Sequence, residues 1–342
     1  MRYIFPDIIA ACFLGLFGGA AGAQTAYIDA AQRSVVLPTS VKKLLAAGPP
    51  AAVILYTLAP DRLAGWIRPL DADALAYLPE RYRGLPVTGR VTGREAVDVA
   101  AIKALAPDLI VDFGTVNPSY AATADRTQAA TSIPYVLLDG ALQASPAAYR
   151  RLGTIVQAQS RGEALAARSQ AILDEVRDKL AAVPAAGRKK VYVARGPDGN
   201  DSYGAGSFTT EILAPAGGVN VAEGWGAGNL GNVTPQKVRA ANPDVVIALD
   251  PYFLEVTAKT PAWKEVPAIA AGRLYVAPRL PFGWLDEPPS VNRLIGLRWL
   301  AGILYPDRFG GDLRTVVRDF YRTFYQADPS GPRLDKLVPA NP

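Results

Sequence analysis

Two stretches of this chain decide its fold: Val97-Asp98-Val99-Ala100-Ala101-Ile102-Lys103-Ala104-Leu105-Ala106-Pro107-Asp108-Leu109-Ile110-Val111 and Val233-Thr234-Pro235-Gln236-Lys237-Val238-Arg239-Ala240-Ala241-Asn242-Pro243-Asp244-Val245-Val246-Ile247. They align without a gap. Each reads as a short helix, a Pro-Asp corner and an apolar run. The proline stops the helix, and an unbroken apolar run suits a strand buried on both faces. One such corner is common in α/β proteins. Two in register, one per half, favour two similar α/β lobes.

Outward from the first corner, strands are expected at 34–38, 43–47, 63–66 and 135–139, and a helix at 50–58 with prolines in its first turn, where a missing N–H costs nothing. Outward from the second, 190–194 reads as a strand, 207–213 as a helix start and 245–249 as a strand. Strands alternating with helical patterns predict mainly parallel, Rossmann-like sheets. Between the halves, Leu165, Ile172, Leu173, Val176, Leu180 and Val183 recur at helical spacing over 161–183, with Glu175 and Lys179 as an i,i+4 pair. At 1.5 Å per residue this helix is ~34 Å long, about a domain diameter. A stiff helix joining the lobes argues against a wide hinge.

The full chain has 342 residues, 36 Lys+Arg against 31 Asp+Glu, one cysteine and no histidine. Ser-His-Asp and Cys-His catalysis, histidine-ligated metals and a disulfide framework are excluded. A net charge of +5 leans toward an anionic ligand but is too weak for a nucleic-acid partner. At the start, Arg2, an apolar run to Phe17 and Ala21-Gly22-Ala23 read as a signal peptide over 1–23, cleaved after Ala23 to give an exported, periplasmic chain. Cleavage removes Cys12, the only cysteine.

Two α/β lobes joined by a long helix behind a signal peptide resemble the periplasmic substrate-binding proteins of ATP-driven importers for iron–siderophore chelates and cobalamin. The resemblance covers nearly the whole mature chain. Its residues include Leu58-Ala59-Pro60-Asp61-Arg62-Leu63-Ala64-Gly65-Trp66, the 105–111 and 242–247 corners, Gly217-Gly218-Val219-Asn220-Val221-Ala222, Ala271-Gly272-Arg273-Leu274-Tyr275, Pro281-Phe282-Gly283-Trp284 and Gly296-Leu297-Arg298-Trp299-Leu300-Ala301. It implies an N-terminal lobe at 24–145, connecting helices at 146–184, a C-terminal lobe at 185–342 and a ligand cleft between the lobes. It also implies capture of a metal chelate, delivery to a membrane permease served by an ATPase, a monomer, and neither catalysis nor a resident cofactor or metal. Such proteins carry a glutamate in each lobe's repeated helix to dock onto permease arginines. Here those positions read Ala100 and Gln236, with Asp98 near the first. Asp98 and Gln236 are therefore the docking candidates.

In open α/β sheets ligands sit beyond the carboxyl ends of the strands. The glycine-rich loop 195–207 follows a strand, and Arg195 offers a planar fork for ligand oxygens. Arg90 and Arg94 are the candidates to face it across a basic cleft. Trp225 and Trp284 sit among glycines in loops, as ligand-contacting aromatics or as plugs of their own lobes. Tyr203, Phe208 and Pro50 complete the candidate ligand set. Trp66, Trp263 and Trp299 read as core. Asp198 and Asp201 read as turn residues beside glycine rather than a carboxylate pair. Within the binding class, a molybdate- or tungstate-type oxyanion is the alternative ligand. An exported α/β enzyme using carboxylates is the alternative of another class, and no constellation of residues supports it.

Overall fold

In the computed structural model, which describes residues 26–92 and 98–338, the two repeated stretches form the same unit. A hairpin of β1 (Ala26–Ile28) and β2 (Ser34–Val36) leads into β3 (Leu44–Ala46), helix α1 (Pro49–Leu58) and the short α2 (Ala72–Leu75). Helix α3 (Val99–Leu105), β4 (Leu109–Gly114), α4 (Pro118–Thr131) and β5 (Tyr135–Asp139) follow. Strands β3, β4 and β5 pair in that order, all parallel. The chain then runs through α5 (Ser145–Ile155) and α6 (Gln159–Leu180) into β6 (Lys189–Ala194), β7 (Ser202–Tyr203), β8 (Gly218–Asn220) and β9 (Asn229–Leu230). Next come α7 (Pro235–Ala241), β10 (Val245–Ala248), α8 (Phe253–Lys259), α9 (Pro261–Lys264), α10 (Pro267–Ala270) and β11 (Leu274–Val276). The second sheet has the order β11-β10-β6-β8, also parallel, and β7 pairs with β9 beside it. Helices α11 (Arg293–Leu304), α12 (Leu313–Phe320) and α13 (Pro332–Leu337) complete the described chain.

The repeated corner shows why the two halves fold alike. Asp98 and Thr234 cap α3 and α7 by accepting the N–H groups of Ala101 and Lys237. Each helix ends on a left-handed residue, Ala106 (φ 46°) and Asn242 (φ 47°). The aspartate that follows turns back onto the neighbouring strand. Asp108 accepts the N–H groups of Lys42 and Lys43 at 2.7 and 2.8 Å, and Asp244 that of Lys190 at 2.7 Å. The central strands β4 and β10 are then buried along their length except at Gly114.

Helix α6 runs 22 residues, ~33 Å at 1.5 Å per residue. Its Glu175 holds Lys179 at 2.8 Å and reaches Arg298 of α11 at 3.0 Å. Two expected elements are much reduced. The 63–66 segment pairs only through single bridges, Leu63 to Leu44 and Trp66 to Val87. The 207–213 segment makes a single tight turn at Thr210–Ile212, because the Phe208 carbonyl and the Glu211 carboxylate are both taken by Arg293.

The last helices, expected within a lobe at 185–342, also pack on the other lobe. They cross back onto the first lobe: the Tyr77 hydroxyl donates to the Arg333 carbonyl, the Tyr56 hydroxyl to that of Tyr325, each at 2.7 Å, and Lys336 pairs with Asp73. Tyr56, Trp66, Phe282, Phe320, Tyr321 and Tyr325 form one aromatic cluster within the largest core.

Candidate ligand-binding cleft

A cleft of about 830 Å³ opens between the lobes. It lies where the strand-end rule places ligands, beyond the carboxyl ends of β3, β10 and β11. From β3 the chain passes through Gly48 into the prolines that start α1. A Cβ at Gly48 would meet the Thr92 hydroxyl at 2.8 Å, so only glycine lets the 92 loop close on this turn. Pro49, Ala52 and Val53 of α1 form one wall, with Trp66, Ile67, Arg68, Asp71 and Asp73 beside them. Trp66 is fixed by its ring N–H, which donates to the Tyr82 carbonyl at 3.0 Å, and by Phe282, whose ring lies 5.9 Å away.

The opposite wall comes from the second lobe: Pro251 after β10, then Arg279, Leu280, Pro281, Phe282, Glu287 and Pro288 after β11. A tight turn shapes the latter. A Cβ at Gly283 would sit 1.8 Å from the Asp286 carbonyl, and the Gly283 N–H donates to the Glu287 carbonyl at 3.3 Å. Glu287 has φ +63° and holds Arg279 at 2.6 Å. A non-glycine residue in that region costs ~1–3 kcal/mol and persists where its surroundings fix it.

At the junction of the lobes lies Arg293, which is fully buried. Its guanidinium donates to the Gly140 carbonyl after β5 at 2.7 Å, the Phe208 carbonyl at 2.9 Å and Glu211 at 2.6 Å, and lies 4.2 Å from the Phe208 ring centre. Glu211 also accepts the Leu142 N–H at 2.7 Å. One cation thus ties loops of both sheets together, and burial pulls its pKa down against the pull of Glu211. The Ser290 hydroxyl donates to the Pro50 carbonyl at 2.7 Å, a second bond across the junction. Arg293 and Arg298 are the only charges in a helix that is otherwise apolar, and a charge at such a position is the sequence signal for Arg293.

The residues expected to bind ligand do not converge. Trp284 is fully buried, its ring N–H donates to the Tyr321 hydroxyl at 3.2 Å, and its ring packs edge-on against Trp299; the Gly283 turn sends it into the core instead of the cleft. Tyr203 is buried too and donates its hydroxyl to Asp286. Burial first, and Asp286 beside it, push its phenol pKa above the ordinary value. Arg195 lies over the Tyr203 ring at 5.4 Å, partly buried and outside the lining of the 830 Å³ cleft. Trp225 packs on the second lobe's own core near Tyr192, with Lys237 at 4.7 Å from its ring, so it plugs that lobe. Phe208 lines a separate hollow of about 550 Å³ with Thr115 and Glu211. Arg90 is exposed on its loop, and Arg94 lies outside the described residues. Pro50 lends its carbonyl to the junction, while Pro49 faces the cleft. Asp98 and Gln236 are both exposed, at the cap and in the first turn of the repeated helices. Trp66, Trp263 and Trp299 are core, as read, though Trp66 also reaches the cleft. Among the described residues no group of three or more His, Cys, Asp and Glu is placed to hold a metal ion, and no helix is long and apolar enough to cross a membrane.

Three solved structures share this architecture. An ABC transporter solute-binding protein from Sulfurospirillum deleyianum is 29% identical, covers 92% of this chain and 98% of its own, and superposes with a TM-score of 0.83. The molybdate-bound periplasmic binding protein of a Haemophilus influenzae ABC transporter is 20% identical, with 90% and 99% covered and a TM-score of 0.72. A periplasmic heme-binding protein from Roseiflexus is 23% identical, with 79% and 100% covered and a TM-score of 0.57. A search among curated proteins gives no match. Residues 72–280, which hold most of both sheets and part of each cleft wall, match the sequence model of the periplasmic binding protein. The chain belongs to the periplasmic binding protein family, the solute-capturing, non-catalytic components of ABC importers.

Proposed function

We propose that the protein captures a metal chelate, a ferric siderophore or a cobalamin-like molecule, and hands it to an importer's permease. The observation that carries this is the cleft itself: about 830 Å³, walled by both lobes at the strand ends. Pockets of ~300–1,000 Å³ suit drug-sized molecules. A tetrahedral oxyanion fills only a small part of such a space, so molybdate or tungstate is the weaker reading. Residues 1–23 serve as the export signal in this reading. The exposed first turns of α3 and α7, at Asp98 and Gln236, are the docking points toward the permease.

Trp66 supplies the test, since it lines the cleft. Titrating the mature chain with ferric siderophores and cobalamin should change tryptophan fluorescence to a 1:1 end point, with the ligand recovered unchanged. No saturable change with any chelate, alongside tight calorimetric binding of molybdate, would overturn the proposal.

A further inference from the structure

The cleft's charges say what kind of chelate suits it. The first lobe contributes Arg68, Asp71 and Asp73, and the second Arg279 and Glu287. Arg279 and Glu287 satisfy one another at 2.6 Å, and Asp73 lies 3.2 Å from Lys336. With Lys336 counted, cations and carboxylates balance, although the whole chain carries +5. The chain's positive excess is therefore kept out of the cleft, contrary to the basic cleft expected from Arg90, Arg94 and Arg195.

Hydrogen-bonding chemistry narrows this further. Guanidinium groups only donate, and ionised carboxylates only accept. A ligand engaging Arg68 and Asp71 of the first lobe and Arg279 and Glu287 of the second must bring both acceptors and N–H or O–H donors. An oxyanion brings acceptors alone and meets like charge at both carboxylates. A multiply anionic chelate meets the same repulsion. Glu287 is also positioned by the backbone: it is left-handed, its N–H donates to Asp286 at 2.7 Å, and the Gly283 turn closes on its carbonyl.

We infer that the cleft selects a bulky chelate of little net charge, with amide or hydroxyl donors beside carbonyl acceptors on its periphery, and that Glu287 with Arg279 reads those groups. This rests on the chelate reading of the cleft.

Calorimetry on the mature chain at low and high salt tests it with four probes: cyanocobalamin, an uncharged amide-bearing ferric tris-hydroxamate, a trianionic ferric tris-catecholate, and molybdate. One of the uncharged probes should bind at least about tenfold tighter than the trianion. Its affinity should change less than about twofold with salt, since no net charge is being screened. Glu287→Gln keeps the side chain's size and should weaken that probe about tenfold while strengthening the trianion. A trianion that binds tightest overturns the inference and leaves the chelate reading standing. Tight binding of molybdate alone, or of no probe, overturns both. An uncharged probe whose affinity is unchanged in Glu287→Gln, with the melting temperature also unchanged, removes Glu287 from recognition.

Discussion

Replacing Arg293 by methionine keeps most of its buried volume and removes the guanidinium from the junction of the lobes. The Gly140 and Phe208 carbonyls then lose their buried donor. Each such bond is worth about 1 kcal/mol. Removing one partner of a fully buried ion pair costs about 3–5 kcal/mol. Glu211 is 31% exposed and can turn to water, so its share falls well below that, to roughly 1.5 kcal/mol. The total is about 3–4 kcal/mol. At roughly 2 °C per kcal/mol for a large chain, scanning calorimetry should show the melting temperature about 6–8 °C lower. Adding Glu211→Gln removes the stranded charge and should recover about 1 kcal/mol. The Leu142 N–H, which donates to Glu211, reports locally: its hydrogen exchange should accelerate in Arg293→Met. A loss below about 1 kcal/mol, or a larger loss with exchange at Leu142 unchanged, would refute the account of Arg293 as the tie between the lobes.

Other outcomes follow from burial. Tyr56, Tyr135, Tyr149, Tyr192, Tyr203, Tyr321 and Tyr325 all have phenol pKa values raised, chiefly by burial. Their folded values lie above the unfolded value of about 10, so the stability they contribute is full below pH ~10 and is lost as pH rises beyond it. An ultraviolet titration should leave these seven buried phenols un-ionised near pH 10 until the chain unfolds; smooth titration of all tyrosines near pH 10 contradicts this. Asp112 is buried, with its carboxyl pKa pushed up by desolvation despite hydrogen bonds from Tyr135 and Phe113. Asp112→Asn keeps an acceptor for Phe113 without the buried charge, and denaturant melts at pH 7 should show it about 1 kcal/mol more stable; a clear loss would show the charge is compensated. Arg195→Ala should leave chelate affinity within about threefold, because the side chain lies over Tyr203 and outside the cleft lining; a loss of a decade by calorimetry would return Arg195 to the site.

What could be read from sequence follows the range of the interactions. The repeated corner was legible because its cap, its left-handed stop and its aspartate all lie within eleven residues of one stretch and both copies carry them, although the aspartate's partners lie far off in the chain. The aromatic loops stayed open between ligand contact and plug because what decides them is distant in the chain. Glycines beside Trp284 suggested an open loop, but whether a turn points its side chain out or in depends on what packs behind it, here Tyr321 and Trp299. The cleft was illegible residue by residue, since Arg68 and Glu287 line one space only when the two sheets are set side by side. Nothing in the spacing of Tyr77 and Arg333 announces that the tail returns to the first lobe.

That return has a consequence for how the molecule comes into being. The bond from Tyr77 to Arg333 spans 256 positions, and that from Tyr56 to Tyr325 spans 269. Contacts so distant along the chain close late and slowly. A chain emerging from its N-terminus can lay down β3, β4 and β5, yet the seat for Phe320 and Tyr325 stays empty until the final helices arrive. The first-made lobe is therefore the last to be finished. In a protein ordered in this way the seat for the tail is closed only when the last segment is delivered.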